Sequence, residues 1–280
     1  KYLKEGNYDK IDGDVDSLQN IELVDQNPIG RSSRSNPATY IKAYDGIRKL
    51  YAKEAMHYDY SIKPSDFSFN VDGGRCEECL GDGFKKVEMQ FMADIYLECD
   101  LCKGKRFKKK ILNVRYNNKN IFDVLDLTIE NALSFFQKNN NIIKKLQPLY
   151  DVGLGYLKLG QSSSTLSGGE AQRLKLASYL VDENKKSFQK TLFIFDEPTS
   201  GLHYSDISNF MKSVQKLIDI GNSVIIIEHN IDLIKQADWL IDLGPGGGSG
   251  GGEVCFSGYP NKIISKKGNK TGKYLKKAFV

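Results

Sequence analysis

The chain has 280 residues, 40% of them hydrophobic and 27% charged, with a formal net charge of +5. That length allows one large domain or two smaller ones, and the proportions are those of a soluble globular protein. No apolar stretch approaches the roughly 18 residues of a membrane span, and KYLKEGNYDK reads as neither a signal nor a transit peptide, so a cytoplasmic protein without a membrane role is expected. The sequence opens on Lys1 rather than Met and is expected to begin inside a longer chain. Its mild basicity is compatible with a nucleic-acid partner and equally with a solvated surface.

Ile21 to Asp25 reads as a short strand entering the loop QNPIGRSSRSNP. Asn36 suits an N-cap and Pro37 a first helical turn, and Tyr40, Ile41, Tyr44, Ile47, Leu50 and Tyr51 continue at helical spacing to about Ala52. Between Phe67 and Lys110 the runs are short and alternating: FSFNV, the stretch from Lys85 to Cys99, and Lys108 to Tyr116 are strand candidates. Helices are expected near Ile121–Leu125, Ile129–Gln137 and Ile142–Tyr150, and another from Glu170 to Leu180, opening at LSGG. Thr191–Phe195 and Ser223–Ile227 read as strands buried on both faces, flanking a helix spaced by Ile207, Met211, Val214 and Leu217. The alternation predicts an α/β sheet covered by helices.

The run Leu192-Phe193-Ile194-Phe195 would deliver Asp196 and Glu197 to the C-terminal end of a strand, where open α/β sheets place their ligands. There Asp196 suits a water-mediated Mg²⁺ contact and Glu197 the orientation of an attacking water, although a solvated acidic turn reads the same way. In Leu166-Ser167-Gly168-Gly169-Glu170, Ser167 can cap a helix whose positive end the two glycines leave open to a phosphate; an ordinary capped helix is the plainer reading. Glu228-His229 ends the next strand and would set an imidazole beside Glu197 if the strands are neighbours.

Cys76, Cys79, Cys99 and Cys102 form two CxxC pairs, the pattern of a closed, structural Zn²⁺ site. Cys255 stands alone in EVCF and is expected to be a small buried hydrophobe. Lys85, Lys86, Lys103, Lys105, Arg106, Lys108, Lys109 and Lys110 surround the pairs with Phe84 and Phe107 among them, which suits either a phosphate backbone or water.

In order, LSGGEAQR, FDEPTSGLH and IIIEHN resemble the signature motif, Walker B with D-loop, and switch histidine of ABC-type ATPases. By that resemblance Gln26 is the Q-loop glutamine that senses Mg²⁺ and the γ-phosphate of ATP. No segment matches the GxxxxGK[ST] phosphate cradle; Gly268-Asn-Lys-Thr-Gly272-Lys273 is one residue short. The chain alone is therefore expected neither to bind ATP tightly nor to hydrolyse it.

The cysteine insert between Q-loop and signature motif narrows the resemblance. VDQNPIGRSSRSNPATYIKAYDGIRKLYA, GRCEECLGDG, CDLCKGKRF, FDEPTSGLH with His203, ADWLIDLGPGGGSGGGEV and TGKYLK are similar to the second nucleotide-binding half of the UvrA family of bacterial excinuclease subunits. The similarity runs from about Asp25 to Leu275, departing from the family at Gly246 and Ser249, where acidic residues are expected. It implies nucleotide excision repair, an SOS-response setting, lesion-bearing double-stranded DNA, UvrB, the N-terminal ABC half of the same protein and a homodimer. ATP, Mg²⁺ and Zn²⁺ are the implied cofactors. Ser167, Gly168 and Gly169 would face ATP held by the other half; Gln26, Asp196, Glu197 and His229 would serve this half's own phosphate loop.

The expected partition is an ABC lobe over 1–60, a zinc-binding insert over 61–117, a helical signature subdomain over 118–165 and a second ABC stretch over 166–280. An ABC membrane-transporter ATPase shares the nucleotide motifs but has no use for a four-cysteine insert. A DnaJ-like zinc module leaves those motifs unexplained, and an SMC-type ATPase needs sustained heptads that the insert lacks.

Overall fold

The computed structural model describes residues 10, 12–27, 29, 34–57, 59–89, 94–181, 190–247 and 251–278. They fall into two compact units, one made of the N-terminal stretch to Val24 with the chain from Gln189 onward, the other of Asp25–Phe188.

In the first unit, β1 (Leu18–Val24), β4 (Lys190–Asp196) and β5 (Ser223–Ile227) form a parallel sheet with β4 in the centre. Val24 lies opposite Phe195, and Asp196 opposite Ile227. Phe193 and Phe195 point to the face covered by α8 (Tyr204–Asp219), where the Phe210 ring meets Phe195 edge-on at 6.3 Å. The opposite face departs from the two-sided burial expected of these strands. Leu23, Ile225 and Ile227 are 60%, 50% and 54% exposed, and Leu192 and Ile194 are half-buried. Among the described residues of this unit, α8 packs on one face of the sheet, and the other face carries these exposed side chains.

After α9 (Ile231–Ile234), the strands β6 (Leu240–Gly244) and β7 (Glu253–Gly258) form an antiparallel ribbon, with Cys255 half-buried on β7. Leu240 and Phe256 of the ribbon pack against Ile234 of α9, Ile263 of α10 (Pro260–Ile263) and Leu275 of α11 (Lys270–Ala278). The short glycine-lysine run that resembled a phosphate loop is consumed in this packing. Thr271 and Asn269 donate to Asp242, and the Gly272 N–H is capped by Asn269.

The second unit opens with α1 (Pro37–Tyr40), capped reciprocally by Asn36 and Thr39, and α2 (Ala43–Ala55). The expected single helix is broken at Lys42, whose φ of 59° is left-handed; Lys145 donates to its carbonyl. The zinc-type insert holds the hairpin β2 (Phe84–Val87) and β3 (Ile95–Glu98). Two expected strands are absent there. FSFNV forms none: Phe67 and Phe69 are buried against Tyr51 and Tyr44, and Tyr44 Oη donates to the Phe67 carbonyl at 2.7 Å. Lys108–Tyr116 contains a helix instead, α3 (Lys109–Leu112), with Ile111 buried. The short helices α4 (Ile121–Leu125), α5 (Ile129–Phe135) and α6 (Asn140–Asp151) follow, capped by Asn120 and Thr128 at the first two, and lead to α7 (Gly168–Val181).

Candidate functional site

The residues singled out in the sequence gather in three places. In the first unit, β4 ends at Asp196 and the chain turns sharply at Glu197, whose φ is +47°. A left-handed conformation at a residue with a side chain costs on the order of 1–3 kcal/mol and tends to mark functional positions. Here it is held by the Glu197 N–H, which donates to the Ile227 carbonyl at 2.9 Å and so extends the β4–β5 pairing by one residue. That pairing sets the next strand's acid and imidazole alongside. His229 Nδ1 lies 3.5 Å from Glu197 Oε1, with the side chains 81% and 49% exposed. Both groups are open to solvent.

Glu228, which sequence reasoning left without a role, organises this end of the sheet. One carboxylate oxygen accepts from the Thr199 N–H and hydroxyl, the other from the His229 and Asn230 N–H groups. The side chain thus ties the loop after Glu197 to the loop that carries His229. Burial pushes this carboxyl upward, but the donors outweigh it and hold it below the usual carboxylate value. The available signal was an acid at the end of an apolar strand, the same signal that picked out Asp196.

In the second unit, Ser167 and Glu170 form a reciprocal cap on α7. Ser167 N–H donates to Glu170 Oε2 at 2.7 Å and Glu170 N–H to Ser167 Oγ at 3.3 Å. Tyr156 Oη donates to the other Glu170 oxygen, and burial, then that bond, pushes the phenol up to about 12. Ser167 is exposed, Gly168 half-buried and Gly169 buried, so the two glycines are not equally open. Gln26 lies against this helix start: a Cβ on Gly168 would come within 2.8 Å of both Cβ and Oε1 of Gln26. Asp25 beside it pairs with Lys175 Nζ at 2.5 Å, and that bond holds its carboxyl below the ordinary range.

The third place is the insert. Cys76, Cys79, Cys99 and Cys102 are all buried, and their sulfurs lie within 4.8 Å of one another. Cys76–Cys99 and Cys79–Cys102 are 3.8 and 3.6 Å apart. Four thiolates at about 2.3 Å from a tetrahedral Zn²⁺ have edges of about 3.8 Å, so the residues fit that ion. The turns that carry them need left-handed backbone at Leu80, Gly81, Lys103 and Gly104, and the Gly83 N–H donates to Cys79 Sγ. Burial pushes the Cys99 and Cys102 thiols up.

The basic residues around this cluster are not alike. Lys85 pairs with Glu78 and Asp100, Lys86 with Glu88 and Asp94, and Lys108 with Glu77. Arg106 is half-buried with its guanidinium 5.7 Å above the Phe69 ring. Lys105, Lys109 and Lys110 are exposed and have no ion pair among the described residues.

Fold and motifs together define an ABC-type ATPase fold: a mixed α/β chain with a parallel sheet, helices and a four-cysteine insert. No protein-family model matches the chain. It is 53% identical to UvrABC system protein A of Clostridium perfringens over 97% of its own length and 28% of that protein's. Against the protein of the same name from Staphylococcus aureus it is 52% identical over 98% of its length and 28% of the relative's. UvrA2 from Deinococcus radiodurans matches in structure with a TM-score of 0.84 and 42% identity, over 96% of this chain and 33% of that one. By sequence and by structure the chain belongs with the UvrA family, and it spans 28% of the length of these curated relatives. No helix among the described residues is long and apolar enough to cross a membrane.

Proposed function

We propose that this chain is part of a DNA-damage-recognition ABC ATPase of nucleotide excision repair, supplying one Q-loop, one signature motif, one Walker B and one switch histidine. The observation that carries the reading is the β4–β5 pairing, which sets Glu197 and His229 3.5 Å apart at one end of the sheet. In this reading Asp196 holds Mg²⁺ through water, Gln26 senses Mg²⁺ and the γ-phosphate, Glu197 orients and polarises the attacking water, and His229 is the switch histidine. Ser167, Gly168 and Gly169 offer a helix N-terminus to ATP held by the N-terminal half of the same protein. Cys76, Cys79, Cys99 and Cys102 hold a structural Zn²⁺, which supplies folding energy rather than chemistry. Lesion-bearing duplex DNA is the substrate and UvrB the partner to which it passes; the intact protein works as a homodimer. Lys105, Lys109 and Lys110 are the side chains best placed to meet phosphates, ahead of Lys85, Lys86, Arg106 and Lys108, which are already engaged.

Two measurements test the reading. In the intact protein, Glu197→Gln should abolish ATP turnover while leaving nucleotide binding in place, and the 280-residue chain alone should hydrolyse no faster than its own Glu197→Gln variant. Binding of damaged duplex by the intact protein should weaken steeply between two salt concentrations, with a shallower slope once Lys105, Lys109 and Lys110 are neutralised. Unchanged turnover in Glu197→Gln would remove the ATPase reading; an unchanged salt slope would remove the DNA contact from the insert.

A further inference from the structure

Lys175 and Gly168 stand seven residues apart on α7, two helical turns, and so share one face of the helix about 10 Å apart along its axis. Asp25 and Gln26 lie along that same face. Lys175 Nζ donates to the Asp25 carboxylate at 2.5 Å and also to the Asp25 carbonyl at 3.1 Å, gripping both side chain and backbone. The Lys175 side chain is 19% exposed and that of Asp25 34%, so the pair is shielded more than a surface ion pair. At the other end of this face Gln26 abuts Gly168, where any side chain would force the glutamine away.

We propose that Lys175 is a positioning residue: by gripping Asp25 it fixes Gln26 against the first turn of α7, so that Q-loop and signature helix move as one piece. The proposal rests on the reading of Gln26 as the nucleotide-sensing glutamine. An ammonium that held only the carboxylate would let the backbone slide; the second bond, to the carbonyl, sets the height of Gln26 along the helix. Gly168 has no side chain because the glutamine occupies that space. When the signature turn is drawn towards a nucleotide, Gln26 is carried with it, and when Gln26 is engaged, the signature turn follows.

The test is steady-state ATP turnover by the intact protein carrying Lys175→Met, Asp25→Asn, both together, Lys175→Arg, or Gln26→Ala. Positioning predicts that each of the two single variants loses roughly tenfold in kcat with KM within about twofold of wild type. The double variant should be no worse than either single one, and Lys175→Arg should recover most of the loss. Wild-type turnover in Lys175→Met with a damaged Gln26→Ala overturns the strut and leaves the Q-loop reading standing. Wild-type turnover in Gln26→Ala overturns both. Additive losses that Lys175→Arg does not restore would show general damage to the fold and also overturn it.

Discussion

Glu228 shows how much of a site's geometry can rest on one side chain. Its carboxylate collects N–H groups from the loops on both sides of the sheet end, so the relative height of Glu197 and His229 depends on it. Glu228→Gln should cost about 1–2 kcal/mol at neutral pH, towards the low side for charged hydrogen bonds because the group is only half-buried. The sign with pH follows from the direction of the shift. The folded carboxyl titrates below its ordinary 4.5, so its contribution is complete above that value and is lost as pH falls through the lowered one. Urea unfolding at neutral and acid pH should therefore show wild type and Glu228→Gln converging in acid; a gap that stays constant with pH would contradict this role.

At the scale of elements, the insert sets a cysteine cluster beside a small aromatic core. Its hairpin strand β3 is exposed throughout, and its buried residues are the four cysteines together with Phe67, Phe69, Phe107 and Ile111. Metal binding at comparable small sites contributes on the order of 10–16 kcal/mol. Metal analysis should find one equivalent of zinc in the wild-type chain and in Cys255→Ser, and none in Cys102→Ser, with chelation lowering the thermal midpoint of the first two only. Zinc retained by Cys102→Ser would place the metal elsewhere. The same insert marks where sequence reading succeeded and where it stopped. The CxxC pairs, the caps of α1 and α7 and the central strand β4 were legible, because each depends on residues adjacent in sequence or on a fixed spacing. FSFNV alternates like a strand, but its period-two pattern is satisfied by Phe67 and Phe69 entering a distant aromatic cluster, with no partner strand. In Lys108–Tyr116 the Lys108 N–H bonds to Gly74 and Tyr116 pairs with Lys119 around Asn117 and Asn118, both left-handed. The paired asparagines were the available turn signal. The contacts of Gln26 with Gly168 and of Lys175 with Asp25 join residues more than a hundred positions apart and leave no local trace.

For the molecule as a whole, the bare face of the parallel sheet is the dominant physical fact. Leu23, Ile194 and Ile225 sit side by side across three strands, with Ile227 next to them. A contiguous apolar surface of this kind binds hydrophobic dyes and other proteins. The isolated chain should enhance the fluorescence of an anilinonaphthalene dye and associate with rising concentration in sedimentation runs. Ile225→Lys should reduce both effects and shift stability by no more than about 0.5 kcal/mol, as for other exposed positions. Dye binding that ignores this substitution would mean that the adhesive surface is elsewhere. The same end of the sheet carries a warning for anyone wishing to make the protein sturdier. The backbone at Glu197 bends the way glycine bends most comfortably. A screen for thermal resistance would be drawn to Glu197→Gly and, in relaxing the main chain, would discard the acid next to the imidazole.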